Sequence, residues 1–193
     1  EEKPEIYSMS PHNIQEILRC VSDIAEKIEE EERGEEIVNS LNTRINKIKK
    51  VPISNRPKVL GIEWIKPFFT AGHWVPEMIE NSGGINMITK NGEHSRKMDI
   101  TEIENADPDV LILMPCGFNV QRTISEYEKY LKDNSRWNKL RAVREKRVFV
   151  VDANSFFSKP SIRVVTGIEI LAKILHPEIF TDFEVPTNSF SKI

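Results

Sequence analysis

Three stretches of the 193-residue chain gather side chains able to grip a bulky ligand. The first runs Glu63-Trp64-Ile65-Lys66-Pro67-Phe68-Phe69-Thr70-Ala71-Gly72-His73-Trp74, with four aromatics and a histidine in twelve residues. The second is Pro115-Cys116-Gly117-Phe118, and the third carries Ser155-Phe156-Phe157, then Lys159 and Arg163. Large planar apolar groups beside a few polar ones suit a bulky, partly apolar ligand, whose anionic part Lys159 and Arg163 would meet. Taken singly, each aromatic serves equally well as a core plug. Their clustering carries the binding reading.

Other chemistries have less behind them. The histidines are His12, His73, His94 and His176, and none forms the two-histidine helical pair or joins the paired-cysteine spacing of metal sites, so no metal site is expected. His73, beside Trp74, is the one placed to hydrogen-bond a ligand. Cys116 has no evident base to make it a nucleophile. With only Cys20 and Cys116 the chain allows one disulfide at most, and two free buried thiols are the expectation. The dinucleotide fingerprint is missing, because Gly61 and Gly72 lie too far apart and Gly83-Gly84 follows a helix; no Gly-Lys-Ser/Thr phosphate loop is present. A net charge of -3 gives no basic footprint for nucleic acid. No run of eighteen apolar residues would span a bilayer. A binding protein is therefore expected rather than an enzyme, with a Rossmann-like enzyme of unknown reaction as the minor alternative.

The elements that must position these residues follow from periodicity. Ser10-Pro11 opens a helix whose stripe is Ile14, Ile17, Leu18, Val21, Ile24, Ala25 and Ile28. Gly34 is expected to break it, and a second helix runs from Glu35 to about Lys50 on Ile37, Val38, Leu41, Ile45 and Ile48. Strands are expected at 59–62, 85–88, 109–114 and 148–151, helices at 76–81, 101–106, 124–131 and 160–175. The runs at 109–114 and 148–151 are apolar without alternation, as in parallel strands covered on both faces. Strands alternating with helices imply a Rossmann-like three-layer α/β lobe with a parallel sheet, preceded by a helical segment. Ligands of such sheets bind beyond the carboxyl ends of the strands, where all three stretches fall. The expected organisation is a helical segment over 1–57, the lobe over 58–180 and a loose tail over 181–193. The opening Glu1-Glu2-Lys3-Pro4 is unlike a secretory signal, so the chain is expected to begin after one or inside a longer gene.

Motifs across the chain carry a resemblance. Trp64, Pro67-Phe68-Phe69-Thr70-Ala71-Gly72-His73-Trp74-Val75-Pro76-Glu77, Ser82-Gly83-Gly84, Ala106-Asp107-Pro108-Asp109-Val110, Met114-Pro115-Cys116-Gly117-Phe118 and Arg147-Val148-Phe149-Val150-Val151-Asp152 resemble the C-terminal lobe of cobalamin-binding proteins of ABC importers. So does the ending through Phe156-Phe157, Pro160, Arg163, Ile170-Leu171 and His176-Pro177-Glu178, while Ser8-Met9-Ser10-Pro11 is similar to the opening of the inter-lobe helices. The likeness spans Ile6 to about Ile179.

What the resemblance implies is a solute-binding component that captures cobalamin or a related corrinoid outside the cytoplasm and presents it to an ABC transporter permease. A ferric siderophore or haem is the alternative ligand, and no resident cofactor is implied. Two α/β lobes joined by a rigid helix are expected, with the first lobe missing from this chain. Ligand contacts are expected from Trp64, Phe69, His73, Trp74, Ser95, Arg96, Phe118, Ser155, Phe156, Phe157 and Lys159. Glu102 falls near the family's docking glutamate, with Thr101 competing for that position. A further expectation is that part of the helical stripe lies exposed and supports self-association.

Overall fold

In the computed structural model, which describes residues 6–193, two helices precede an alternation of strands and helices. Helix α1 spans Ile14–Lys27 and α2 spans Glu31–Lys49. The start of α1 is Asn13 and not Ser10-Pro11: the Asn13 side chain accepts the Glu16 N–H, and the Glu77 carboxylate accepts the Ile14 N–H at 2.8 Å. Those two acceptors satisfy donors that a helix start leaves open. Gly34 does not break the helices apart but lies inside α2. A Cβ there would sit 2.4 Å from the Ala25 Cβ, so the glycine lets α1 and α2 touch. Ile14, Ile17, Leu18 and Ala25 are buried as expected, whereas Ile24 and Ile28 are 40% and 63% exposed.

The remaining elements are β1 (Lys58–Ile65), β2 (Phe68–Thr70), α3 (Val75–Asn81), β3 (Ile85–Asn86), α4 (Ile100–Ala106), β4 (Val110–Leu113), α5 (Val120–Tyr130), α6 (Arg141–Arg144), β5 (Val148–Val151), α7 (Ala153–Phe156), α8 (Val164–Leu175) and β6 (Phe190–Lys192). They form one sheet in the order β2-β1-β4-β5-β6. Strands β1, β4 and β5 are parallel, β3 runs parallel to the start of β1, and β2 and β6 are antiparallel edges. The tail therefore is not loose throughout: Phe190–Lys192 pairs with β5, and Asp152 donates its N–H to the Ser189 carbonyl.

The two-residue period of the strands sends alternate side chains into two cores. Val59, Val110, Ile112 and Val151 pack with α1, α2, α3 and α8. Leu60, Ile62, Leu111, Leu113, Val148 and Val150 pack with Ile103, Leu131, Trp137 and Leu140 on the opposite face. The result is the three-layer lobe that the unbroken apolar runs predict. Helix α2 is fixed to α8 by Arg44, whose guanidinium makes a two-bond fork with Glu169 at 2.6 and 2.9 Å and reaches Thr166.

The first post-strand stretch is not a loop. Strand β1 runs past its buried run to Ile65, turns at Lys66-Pro67 and returns as β2, so Trp64 and Phe69 stand on facing arms of a hairpin. Helix α5 starts at Val120, earlier than its apolar pattern, because the Asn119 side chain caps the Arg122 N–H.

Candidate functional site

The carboxyl ends of β1, β4 and β5 share one rim with two adjoining depressions. Glu63 and Cys116 line both. The shallower depression, about 330 Å³, adds Trp64, Phe69 and Ser95. The more enclosed one, about 180 Å³, is walled by Trp74, Val75, Met114 and Phe157, with Gly72, His73 and Ser158 completing it. The smaller of the two lies below the range that whole small molecules fill.

The hairpin presents the aromatic part of the rim. Trp64 is 39% exposed, unusual for so large an apolar ring, and meets Phe118 edge-on at 5.3 Å between centroids. Phe118 itself is buried, with the Arg122 guanidinium 3.7 Å from its ring centroid. Trp74 is sunk into the core and spends its indole N–H on the Phe157 carbonyl at 2.9 Å, so it serves as a wall rather than a free hydrogen-bonding group.

A second loop is pinned across β2. The Thr70 N–H donates to the Arg96 carbonyl, the Arg96 N–H donates to the Thr70 hydroxyl, and the His73 N–H donates to the Glu93 carbonyl. Gly72 makes this approach possible, because a Cβ there would lie 2.3 Å from the Ser95 nitrogen. His73 follows in the left-handed region at φ 56°, and its ring lies 3.0 Å, nitrogen to nitrogen, from His94. His12 joins them, 5.5 Å from His94 and 6.1 Å from His73 between ring centroids. Burial first, then the neighbouring His94 and His12, push the His73 pKa below its ordinary value, so the ring favours the neutral form. Among the described residues no group of three or more His, Cys, Asp or Glu is placed to hold a metal ion.

Glu63 is the ionisable rim residue that the sequence did not single out, and Val75, Met114 and Ser158 join it as unanticipated lining. Burial pushes its carboxyl above the ordinary carboxylate value, opposed in part by the Gly72 N–H at 3.3 Å and the Ser95 hydroxyl. A carboxyl held up in pKa inside a pocket is a common mark of a functional position.

Trp64, Phe69 and Ser95 thus meet at one depression, and His73, Trp74 and Phe157 at its neighbour. The other candidates do not line either. The Arg96 guanidinium turns to Glu102, with the two 2.8 Å apart, and it holds the Glu102 carboxyl below its ordinary pKa. Glu102 also closes a capping box with Asp99 at the start of α4. Ser155 lies in α7, where its N–H is capped by Asp152; Phe156 packs against the core, and Lys159 reaches Asn154 at 3.3 Å from an exposed position. Arg163 is exposed at the start of α8. Cys116 and Cys20 are free, but neither is fully buried: Cys20 is half-buried, and Cys116 is exposed because it sits past the end of β4 on the rim. No helix among the described residues is long and apolar enough to cross a membrane.

Comparison with known proteins adds to this geometry. The sequence pattern of the family described as "Periplasmic binding protein" matches residues 1–155. An ABC transporter substrate-binding protein of Listeria monocytogenes EGD-e superposes with a TM-score of 0.77 at 18% identity, covering 86% of this chain and 66% of that one. The TroA-like periplasmic binding protein FepB of Veillonella parvula gives 0.70 at 16% identity, over 94% and 62%. IsdE of S. aureus, solved in complex with haem, gives 0.78 at 16% identity, over 88% and 67%. The chain therefore spans no more than about two thirds of these structures. No curated protein matches it.

Proposed function

The chain belongs to the periplasmic binding protein family, and from that premise we propose that it captures a corrinoid, cobalamin first, for an ABC importer. Capture would take place outside the cytoplasm, with no bond made or broken. The observation that carries this reading is the exposed Trp64 standing over a depression shared with Phe69, its direct partner on the other arm of the β1–β2 hairpin. Exposing a tryptophan there leaves apolar area in water, at about 25 cal/mol per Å², which a planar ligand would recover on stacking.

In this reading the chain supplies one wall of a cleft, and a further α/β lobe supplies the other. Arg96, Phe118, Ser155, Phe156 and Lys159, which flank the depressions without lining them, would act at the margins of a ligand as wide as a corrin ring. Glu102 would dock on the permease, exchanging Arg96 for arginines of the partner; its half-exposed place in the first turn of α4 supports that role. A ferric chelate or haem is the second reading, since the same ring platform would accept a porphyrin.

Equilibrium dialysis against cyanocobalamin, read by its visible absorbance, should leave corrinoid on the protein side. Trp64→Ala should weaken retention about tenfold, the scale of a lost aromatic anchor. Retention of haemin or a ferric siderophore without retention of corrinoid selects the second reading. Turnover of any bound compound would place the chain among enzymes.

A further inference from the structure

Among the described residues, the ionisable groups lining the two depressions are Glu63, His73 and Cys116, with no lysine or arginine. Three cations near the rim are engaged elsewhere. Arg96 pairs with Glu102, Arg122 lies over the Phe118 ring, and Lys159 bonds Asn154. Such a wall is poorly matched to a ligand that presents carboxylates or catecholates, which want a guanidinium or ammonium opposite them.

The more enclosed depression has its own shape and chemistry. Its volume of about 180 Å³ is too small for a macrocycle but suits a short arm. Its walls at Trp74, Val75, Met114 and Phe157 are apolar, and Glu63 stands where it meets the aromatic depression. A carboxylate offers about four acceptor positions. Within the chain Glu63 uses its acceptor capacity on the Gly72 N–H and the Ser95 hydroxyl, which leaves part of it for a ligand.

Resting on the reading of the chain as a capture protein, we propose that this pocket is a subsite for a carboxamide arm of the ligand, with Glu63 accepting the amide N–H, and that Glu63 selects against chelates bearing carboxylates. The planar body of the ligand then lies on Trp64 and Phe69 while one amide arm descends beside Glu63. An arm ending in a carboxylate brings a second acceptor against Glu63, and neither can donate unless one takes up a proton. The selection is therefore built on repulsion as much as on attraction.

The test compares cyanocobalamin with its separated monocarboxylic acids, in each of which one peripheral carboxamide has become a carboxylate. At pH 7.5 at least one of these acids should bind the wild-type chain about tenfold or more weakly than the parent, the scale of a lost charge-assisted hydrogen bond. The same acid should recover much of that deficit on Glu63→Gln, whose side chain can donate to a carboxylate. The wild-type comparison stands even if the variant folds poorly. Equal binding of the parent and every acid to the wild type overturns the subsite and leaves corrinoid capture standing, as does an identical deficit in the variant. Tight capture of haemin, with its two propionates, alongside no capture of cyanocobalamin overturns both.

Discussion

The two ends of the sheet treat charge in opposite ways. At the amino ends of the strands Arg141, Asp107, Asp109, Arg136 and Glu104 are all paired. Arg141 bonds both carboxylate oxygens of Asp107 at 3.0–3.2 Å and also pairs with Asp109, while Asp109 accepts the Lys58 N–H at 2.7 Å. Burial works against the Asp109 charge, but the Lys58 N–H and then Arg141 outweigh it and hold the carboxyl below its ordinary value. Arg136 and Glu104 close a further pair at 2.6 Å. At the carboxyl ends the pattern inverts. Among the described residues no cation pairs with Glu63, and burial raises its pKa; His73 faces two other histidines and its pKa falls. One end is built to hold strands and helices together. The other carries polar groups in less favourable surroundings, as binding sites do.

That contrast can be attacked from either end. The largest effect is expected from Gly72→Ala at the rim. The added Cβ meets backbone at Ser95 and Glu93, which has little freedom to yield. Overpacking of this kind costs about 1–3 kcal/mol, so chemical denaturation should show that loss and ligand retention should fall with it. An unchanged midpoint would mean that the two loops are not locked together.

Arg141→Met attacks the amino end and should have a smaller effect. Surface ion pairs are individually weak, but this one joins two carboxylates and a strand start. The melting temperature should drop by a few degrees with no change in ligand affinity. Weaker binding in this variant would erase the division of labour between the ends.

The smallest effect carries the sharpest sign. Because the Glu63 carboxyl is raised in the folded chain, the chain pays for its charge as pH climbs through that raised value. Glu63→Gln should therefore melt slightly higher than the wild type at pH 7. The advantage should vanish near about pH 3.5, where the carboxyl is protonated in the folded and unfolded states alike. A variant that melts lower at pH 7 would show that Glu63 is structural.

Much of this division was legible in the residues, and the failures have physical causes. The runs Val110 to Leu113 and Val148 to Val151 give away buried parallel strands because both faces are covered, and from them the rim follows. Trp64 and Phe69 are legible as a pair only loosely. The strand is expected to end at Ile62, whereas β1 runs on to Ile65 and Lys66-Pro67 sits at the turn of a hairpin. Glu63 passes unnoticed because a lone glutamate in an extended stretch looks like any solvent-facing strand residue. The available signal was its place, one step past the buried run of β1. Gly34 misleads because a glycine that ends a helix and a glycine that lets two helices touch are the same letter. The strand at Phe190–Lys192 has too short a pattern to announce itself and is fixed by pairing with β5.

Capture requires that the carboxyl rim be the surface that receives the ligand. Backbone amide shifts of the isotopically labelled chain, followed by NMR while cyanocobalamin is added, address this directly. Changes concentrated at 63–74, 94–96, 114–118 and 156–158, with Asp107, Asp109 and Arg141 still, are the predicted result. Changes centred on the amino-end network, or none anywhere at saturating ligand, would contradict it.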